Sequence, residues 1–478
     1  MNQNNISAAE LFLRVRELLI LPELEPKTRN KMMHDTLILC CHEGVKETKQ
    51  AFGNLFSQVD YLCKAHGIKV ADKIAIQTMR RHSNSQEPLS SEDLKYDARA
   101  LAIFISAVFG VDVPHELNVL IPHTNRPYQK GLEINNRRIR CIVKNWDSDF
   151  IRVDIDQDAD EEEYLVQLKD EENHIDHTYL WDILKEGMQL NLLDCQVKQS
   201  VITPRLIVVE PDYLVDISSI ATCFTAFGHH PLLYLLNQMK PRANTQATLL
   251  GNFAGAALDD IINTNGKYQM NETIKTNFRE KALEFCTCPW FDAKKFYTDA
   301  NQQAFNLQQV VDILFPRTAS QAQMSAFRGE SLYDRKKAIL EPSFVCEALG
   351  IQGRVDLMTT DCKLLVEQKS GRNMNIETHQ VDPGYHSYQL EPHYVQLLLY
   401  YGVLQHNFKL SNDRVNIRLL YSKYQPQDGL MVVAYYQKLF KEAIEYRNQL
   451  VAASFEIAKE GFEHALNEFT PEVLNVSG

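Results

Sequence analysis

Residues 350–371 read GIQGRVDLMTTDCKLLVEQKSG, and this stretch decides how the C-terminal half of the chain folds. GRVDLM sets Asp356 among apolar neighbours at the end of a strand-like run, and CKLLVEQKSG supplies a second apolar run that ends at Glu367 and Lys369. Ten residues separate Asp356 from Glu367, room for two short strands and a turn. The spacing predicts a hairpin on which the two carboxylates converge. Side chains two apart on a strand point the same way, so Glu367 and Lys369 share a face. Two hard oxygen ligands suit Mg²⁺ or Mn²⁺, which polarises a phosphodiester and lowers the pKa of a bound water. Lys369 is the group expected to position or deprotonate that water and to stabilise charge on the phosphate. The main-chain carbonyl of Gln368, directed between the two side chains, is the expected third protein ligand.

Glu-x-Lys alone is a weak signal, and its context strengthens it. Residues 391–404, EPHYVQLLLYYGVL, read as an apolar helix. Gln396 and Tyr400 lie four apart and share a face of it, with His393 three residues before Gln396.

GRVD, then EQKSG, then HYVQLLLY resemble the RecB-like branch of the PD-(D/E)XK nuclease superfamily in order and spacing, over roughly residues 244–455. The resemblance implies a mixed sheet flanked by helices. It also implies cleavage of DNA with a divalent metal, in a family often attached to helicases or acting in CRISPR spacer acquisition. On the matching positions Asp356 and Glu367 are the implied metal ligands, Lys369 the catalytic lysine, and Gln396 with Tyr400 the closing QxxxY motif. His393 and Arg372 join Gln396 and Tyr400 as expected DNA contacts.

The sequence departs from that family in two places. Its first helix usually reads Gly, three residues, then a metal-binding His; here residues 249–262 are LLGNFAGAALDDII, where Gly251 and Leu258 fit but Gly255 stands at the His position. Asp259 or Asp260, about one turn on, is the substitute ligand, with an exposed helix-end carboxylate as the plainer alternative. Several relatives hold an iron–sulfur cluster through three cysteines after the QxxxY helix. Here the last cysteine is Cys362, so no such cluster is expected. Cys286 and Cys288, in FCTCPWF, have no second pair at zinc spacing and read as packing residues.

Upstream, apolar residues recur every three or four positions from Ala8 to about Leu117, with a loop at RRHSNSQEPLSSED and Ser90 or Ser91 as the cap of the helix that follows. From about Asn118 to Thr222 short β-like runs take over: RRIRCIVKNW, DFIRVDI, EYLVQL, MQLNLLDCQV and RLIVVE, with one helical piece at TYLWDIL. These runs suggest a small β-barrel of OB-like kind, which either binds single strands or merely spaces two domains. The acidic run DIDQDADEEE fails as a calcium loop, because Ala159 stands where Gly belongs and Leu165 where Glu belongs; it reads as a solvated acidic hairpin.

The expected architecture is therefore an α+β multidomain chain: a helical N-terminal domain at 1–117, the small β-barrel at 118–239 and an α/β PD-(D/E)XK nuclease core at 240–478, closing on a helix at YYQKLFKEAIEYRNQLVAASFEIAKEGF. At 478 residues, 45% hydrophobic and 23% charged, two or three cores are affordable. A net charge of −12 excludes a general nucleic-acid coat without vetoing a locally basic groove. No signal peptide, membrane span or disulfide framework is legible, so a cytoplasmic protein is expected. No GxxxxGK[ST] occurs, so a helicase motor is expected elsewhere, in cis on a longer polypeptide or in trans. The expected function is a Mg²⁺- or Mn²⁺-dependent DNase on single-stranded or unwound ends, in repair or phage defence. The alternative is a degenerate nuclease fold that binds DNA or acts as a scaffold.

Overall fold

The structure is a computed structural model that describes the chain except residues 1–5, 22, 49, 51, 86–87, 127–136, 157–162, 226–227, 240–243, 265–266, 382–387, 411–413, 462, 465–466 and 468–478. It is mixed α and β, with a helical N-terminal region and several sheets. Two compact units form: residues 1–213 with 452–463, and residues 214–451 with 464–478.

In the first unit, helices Ala8–Ile20, Pro26–Gly44, Leu55–Ala65, Val70–Asn84 and Ser91–Phe109 bury their apolar stripes in one core around Leu11, Met33, Leu37, Leu101 and Phe104. Ser90 caps the last of them in a reciprocal box with Asp93, as the local sequence predicts. The β-like runs form a seven-stranded sheet in the order Gln196–Lys198, Val201–Thr203, Tyr164–Gln167, Phe150–Ile155, Arg138–Trp146, Gln189–Leu193, Leu206–Val209. Alternate residues Ile139, Cys141, Val143 and Ile151, Val153, Ile155 line its buried face.

This corrects the expected small β-barrel. The two end strands, Gln196–Lys198 and Leu206–Val209, do not pair with each other, so the sheet stays open. Its buried face is covered instead by Leu180, Leu184 and Met188, from and after the short Thr178–Asp182 helix. The acidic run is also not simply solvated. Lys73 pairs with Asp154 at 3.0 Å and Arg80 with Asp156 at 2.5 Å, joining helix to sheet. The rest of that run, Asp158 and Ala159 included, lies outside the described residues.

In the second unit the central sheet runs Ala338–Leu340, Leu357–Thr359, Leu364–Lys369, Asn416–Tyr421, Leu430–Val432. Leu357–Thr359 and Leu364–Lys369 form the antiparallel hairpin expected from the sequence, with Leu357 opposite Val366. Leu364–Lys369 then pairs in parallel with Asn416–Tyr421, and the helix Glu391–Phe408 lies in the crossover that a parallel pair requires. A second sheet, Val215–Asp216, Ile351–Arg354 and Ser343–Cys346, lies beside it in the chain. Helices Gln246–Asn263 and Ala293–Leu314 share a core with Leu357, Leu364, Val366 and Leu420. Glu391–Phe408 meets the helix Gln437–Glu460 closely at Gly402, where even a β-carbon would come within 2.4 Å of the Phe440 ring. Among the described residues no helix is long and apolar enough to cross a membrane.

Candidate active site

Alternation along Leu364–Lys369 sets the geometry. Leu364 and Val366 point into the core beneath helices Gln246–Asn263 and Ala293–Leu314, so Glu367 and Lys369 point to the opposite face. The Glu391–Phe408 helix lies on that face. Lys369 Nζ donates to Glu367 Oε1 at 2.7 Å and to Gln396 Oε1 at 2.8 Å. Glu367 is 2% exposed and its Oε2 has no hydrogen-bond partner. Burial, then the nearby Asp356 carboxylate, pushes its carboxyl up to about 8 against the pull of Lys369.

Asp356 occupies a corner. The chain leaves one sheet at Arg354 and enters the other at Leu357, and Asp356 lies between, its Oδ2 accepting the Gln368 N–H at 2.6 Å. Burial raises its carboxyl, opposed by that N–H and by Lys369. Within a strand the N–H and C=O of one residue point to the same edge, so the Gln368 carbonyl also faces the Asp356 side. The Gln368 side chain points the other way, to Ser422 Oγ at 2.8 Å.

A second corner meets the first. Glu341 has φ 48°, donates its N–H to Asp356 O at 3.0 Å and pairs its carboxylate with Arg354 at 3.0 Å. A left-handed backbone at a non-glycine residue is a local strain. Across from it stands Asp259, whose carboxyl is pushed up to about 6 by burial and then by Glu341, Asp260 and Asp356. Asp259 is thus near enough to Glu341 and Asp356 for their charges to act on its carboxyl. Asp260 is turned away, its Oδ2 accepting from Thr273 at 2.5 Å.

Gly251, Gly255 and Asp259 are spaced by four and so share one face of their helix. A β-carbon at Gly251 would stand 3.1 Å from Ser370 Oγ, while one at Gly255 would meet nothing within 4 Å. Open space therefore lies above Gly255, where the sequence resemblance would expect an imidazole.

Tyr400 is 3% exposed and gives its hydroxyl to Arg354 O at 2.6 Å. Its ring lies close enough to the strand that a β-carbon at Gly353 would come within 2.9 Å of it. Tyr400 thus fastens the Glu391–Phe408 helix to the corner that carries Asp356. His393 Nδ1 shares a hydrogen bond with Tyr421 OH at 3.0 Å, and burial followed by the nearby Lys369 charge lowers the imidazole to about 3, so it stays neutral. Arg372 is exposed and held by Glu377, which also binds Tyr424 and Lys423. It is not gathered with the other residues. Cys286 is exposed and Cys288 is buried in the core.

Glu341 and Gly353 carry part of this geometry without having been singled out from the sequence. Gly353 belongs to GRVD, but only the distant Tyr400 explains it; nothing local marks Glu341. Among the described residues no three His, Cys, Asp or Glu side chains gather closely enough to form a ready-made metal cage. No family model matches the chain, and no curated protein is similar to it.

Proposed function

We propose that the chain is a divalent-metal-dependent nuclease that hydrolyses DNA phosphodiester bonds on single-stranded or unwound ends. One observation carries the reading: a lysine ammonium clamped between Glu367 and Gln396, beside a buried carboxylate oxygen with no hydrogen-bond partner and a second carboxylate at the sheet corner. An orphaned, buried Glu367 Oε2 costs free energy unless a cation or proton satisfies it.

The donor set fits Mg²⁺ or Mn²⁺: Asp356, Glu367 and the Gln368 carbonyl would hold it, with Asp259 in reserve beside Asp356. Bound there, the ion would supply Lewis-acid polarisation of the phosphate and an acidified water. Lys369, held at a fixed position by two acceptors, aligns the attacking water and neutralises charge that develops on the phosphate. Neutral His393 and Gln396 add no competing charge beside that ammonium. A helicase, in cis or in trans, would supply the unwound ends, in DNA repair or defence against phage.

The test is direct. End-labelled single- and double-stranded DNA incubated with the protein and Mn²⁺ should be cleaved, the single strand faster, with no products in EDTA. Intact substrate in Mn²⁺ and in Mg²⁺ over prolonged incubation contradicts the proposal.

A further inference from the structure

Between helices Ala282–Cys286 and Ala293–Leu314 the chain turns through Cys288, Pro289, Trp290 and Phe291. Trp290 is 98% exposed and has φ 56°. Both facts oppose ordinary folding. A tryptophan has on the order of 200 Å² to bury, and a left-handed backbone disfavours any side chain with a β-carbon.

The loop is nevertheless firmly mounted. Phe285 stacks on Phe278 with centroids 3.9 Å apart, Phe291 meets Phe285 at 5.4 Å and Phe296 at 5.5 Å, and Cys288 is buried beside them. Cys288, two residues before Trp290, is buried and Phe291, directly after it, is half-buried, while Pro289 and the indole face outward. Two further bonds tie the loop to the start of the Gln246–Asn263 helix and the residues before it: Asp292 N–H to Gln246 Oε1 at 2.8 Å, and Asn244 Nδ2 to Thr287 Oγ1 at 2.7 Å. From Gln246 to Gly251, which adjoins Ser370, is five residues, about 7.5 Å of helix. The loop that carries the indole is thus tied to the N-terminal end of the helix whose Gly251 adjoins Ser370, the residue after Lys369. Lys294 and Lys295 follow in exposed positions on the next helix, Lys295 paired with Asp299 at 2.6 Å.

We propose that Trp290 is a base-stacking platform that seats single-stranded DNA a few nucleotides from the scissile phosphate, with Lys294 beside it for the backbone. An exposed aromatic on an anchored loop accepts any base through its π-face, which suits a strand of arbitrary sequence. The inference rests on the nuclease reading and supplies its substrate contact.

Two substrates separate the claims: oligo(dT), which spans platform and site, and bis(p-nitrophenyl) phosphate, a phosphodiester that fills the scissile position alone. Trp290→Ala should lose on the order of tenfold to a hundredfold in kcat/KM on oligo(dT), keep wild-type hydrolysis of the small ester, and be rescued in large part by Trp290→Phe. In EDTA, oligo(dT) should quench wild-type indole fluorescence, and the quench should vanish in Trp290→Ala although Trp146 and Trp181 remain. Equal losses on both substrates, no loss on either, or a quench given by anionic lipid vesicles and not by oligo(dT) overturns the platform. A wild-type protein that hydrolyses neither substrate yet shows the Trp290-dependent quench sinks the nuclease reading and leaves the DNA platform standing.

Discussion

Gly353 is where one residue type decides the candidate site. A β-carbon there would approach Tyr400 Cε1 to 2.9 Å and Ile217 Cβ to 3.3 Å, and Tyr400 cannot retreat without giving up its bond to Arg354 O. Gly353→Ala should therefore destabilise the protein by roughly 1–3 kcal/mol, the usual cost of overpacking. A thermal melt should drop by several degrees, and an Ala variant that melts with the wild type would show that the ring moves freely. The pair also shows what local sequence cannot deliver. Glu367 and Lys369 were legible because strand alternation is a two-residue rule; the Gly353–Tyr400 contact joins residues 47 apart in the chain, and no periodicity announces it.

At the level of elements, the helix Gln246–Asn263 presents open space at Gly255 and a half-buried carboxylate at Asp259. Burial of that carboxyl, and then its like-charged neighbours, cost stability that a cation recovers, so Asp259→Asn should raise the melting temperature in EDTA while lowering Mn²⁺ affinity by calorimetry. Gly255→His should fold at least as well as the wild type, since glycine is the poorer helix former, and should tighten Mn²⁺. Unchanged affinity in both variants would remove this helix from the metal's surroundings. A second element contact links the Gly228–His229 strand to two helices: His229 lies 2.6 Å from Glu391 and 2.8 Å from Glu442, with Tyr446 at its edge. Those two carboxylates lift its imidazole from 6.5 to about 9. Because the folded value is raised, the stabilisation is complete below about pH 6.5 and fades as pH climbs through 9. His229→Gln should cost about 1–2 kcal/mol at pH 6, after discounting for partial exposure, and little at pH 10. Equal destabilisation at both values would mean that packing, not charge, is what the ring contributes.

For the whole molecule, the sequence told element types better than their assembly. The N-terminal helices, the five β-like runs and the Leu357–Lys369 hairpin are readable because each follows from periodicity within a dozen residues. The open sheet is not, since it depends on Tyr164–Gln167 pairing in parallel with Val201–Thr203 and on the two end strands remaining apart. Asp356 was legible as a strand-end carboxylate, whereas its place at a corner between two sheets, met there by the strained Glu341, emerges only from long-range pairing.

The central claim is that Glu367 holds metal while Lys369 acts on the water and phosphate, and one paired measurement separates the roles: Mn²⁺ affinity and DNA cleavage rate for Glu367→Ala and Lys369→Ala beside the wild type. Glu367→Ala should lose both. Lys369→Ala should keep Mn²⁺ affinity within a few-fold of wild type and lose on the order of a hundredfold or more in cleavage rate. Wild-type cleavage by Lys369→Ala, or wild-type Mn²⁺ affinity in Glu367→Ala, would contradict the account.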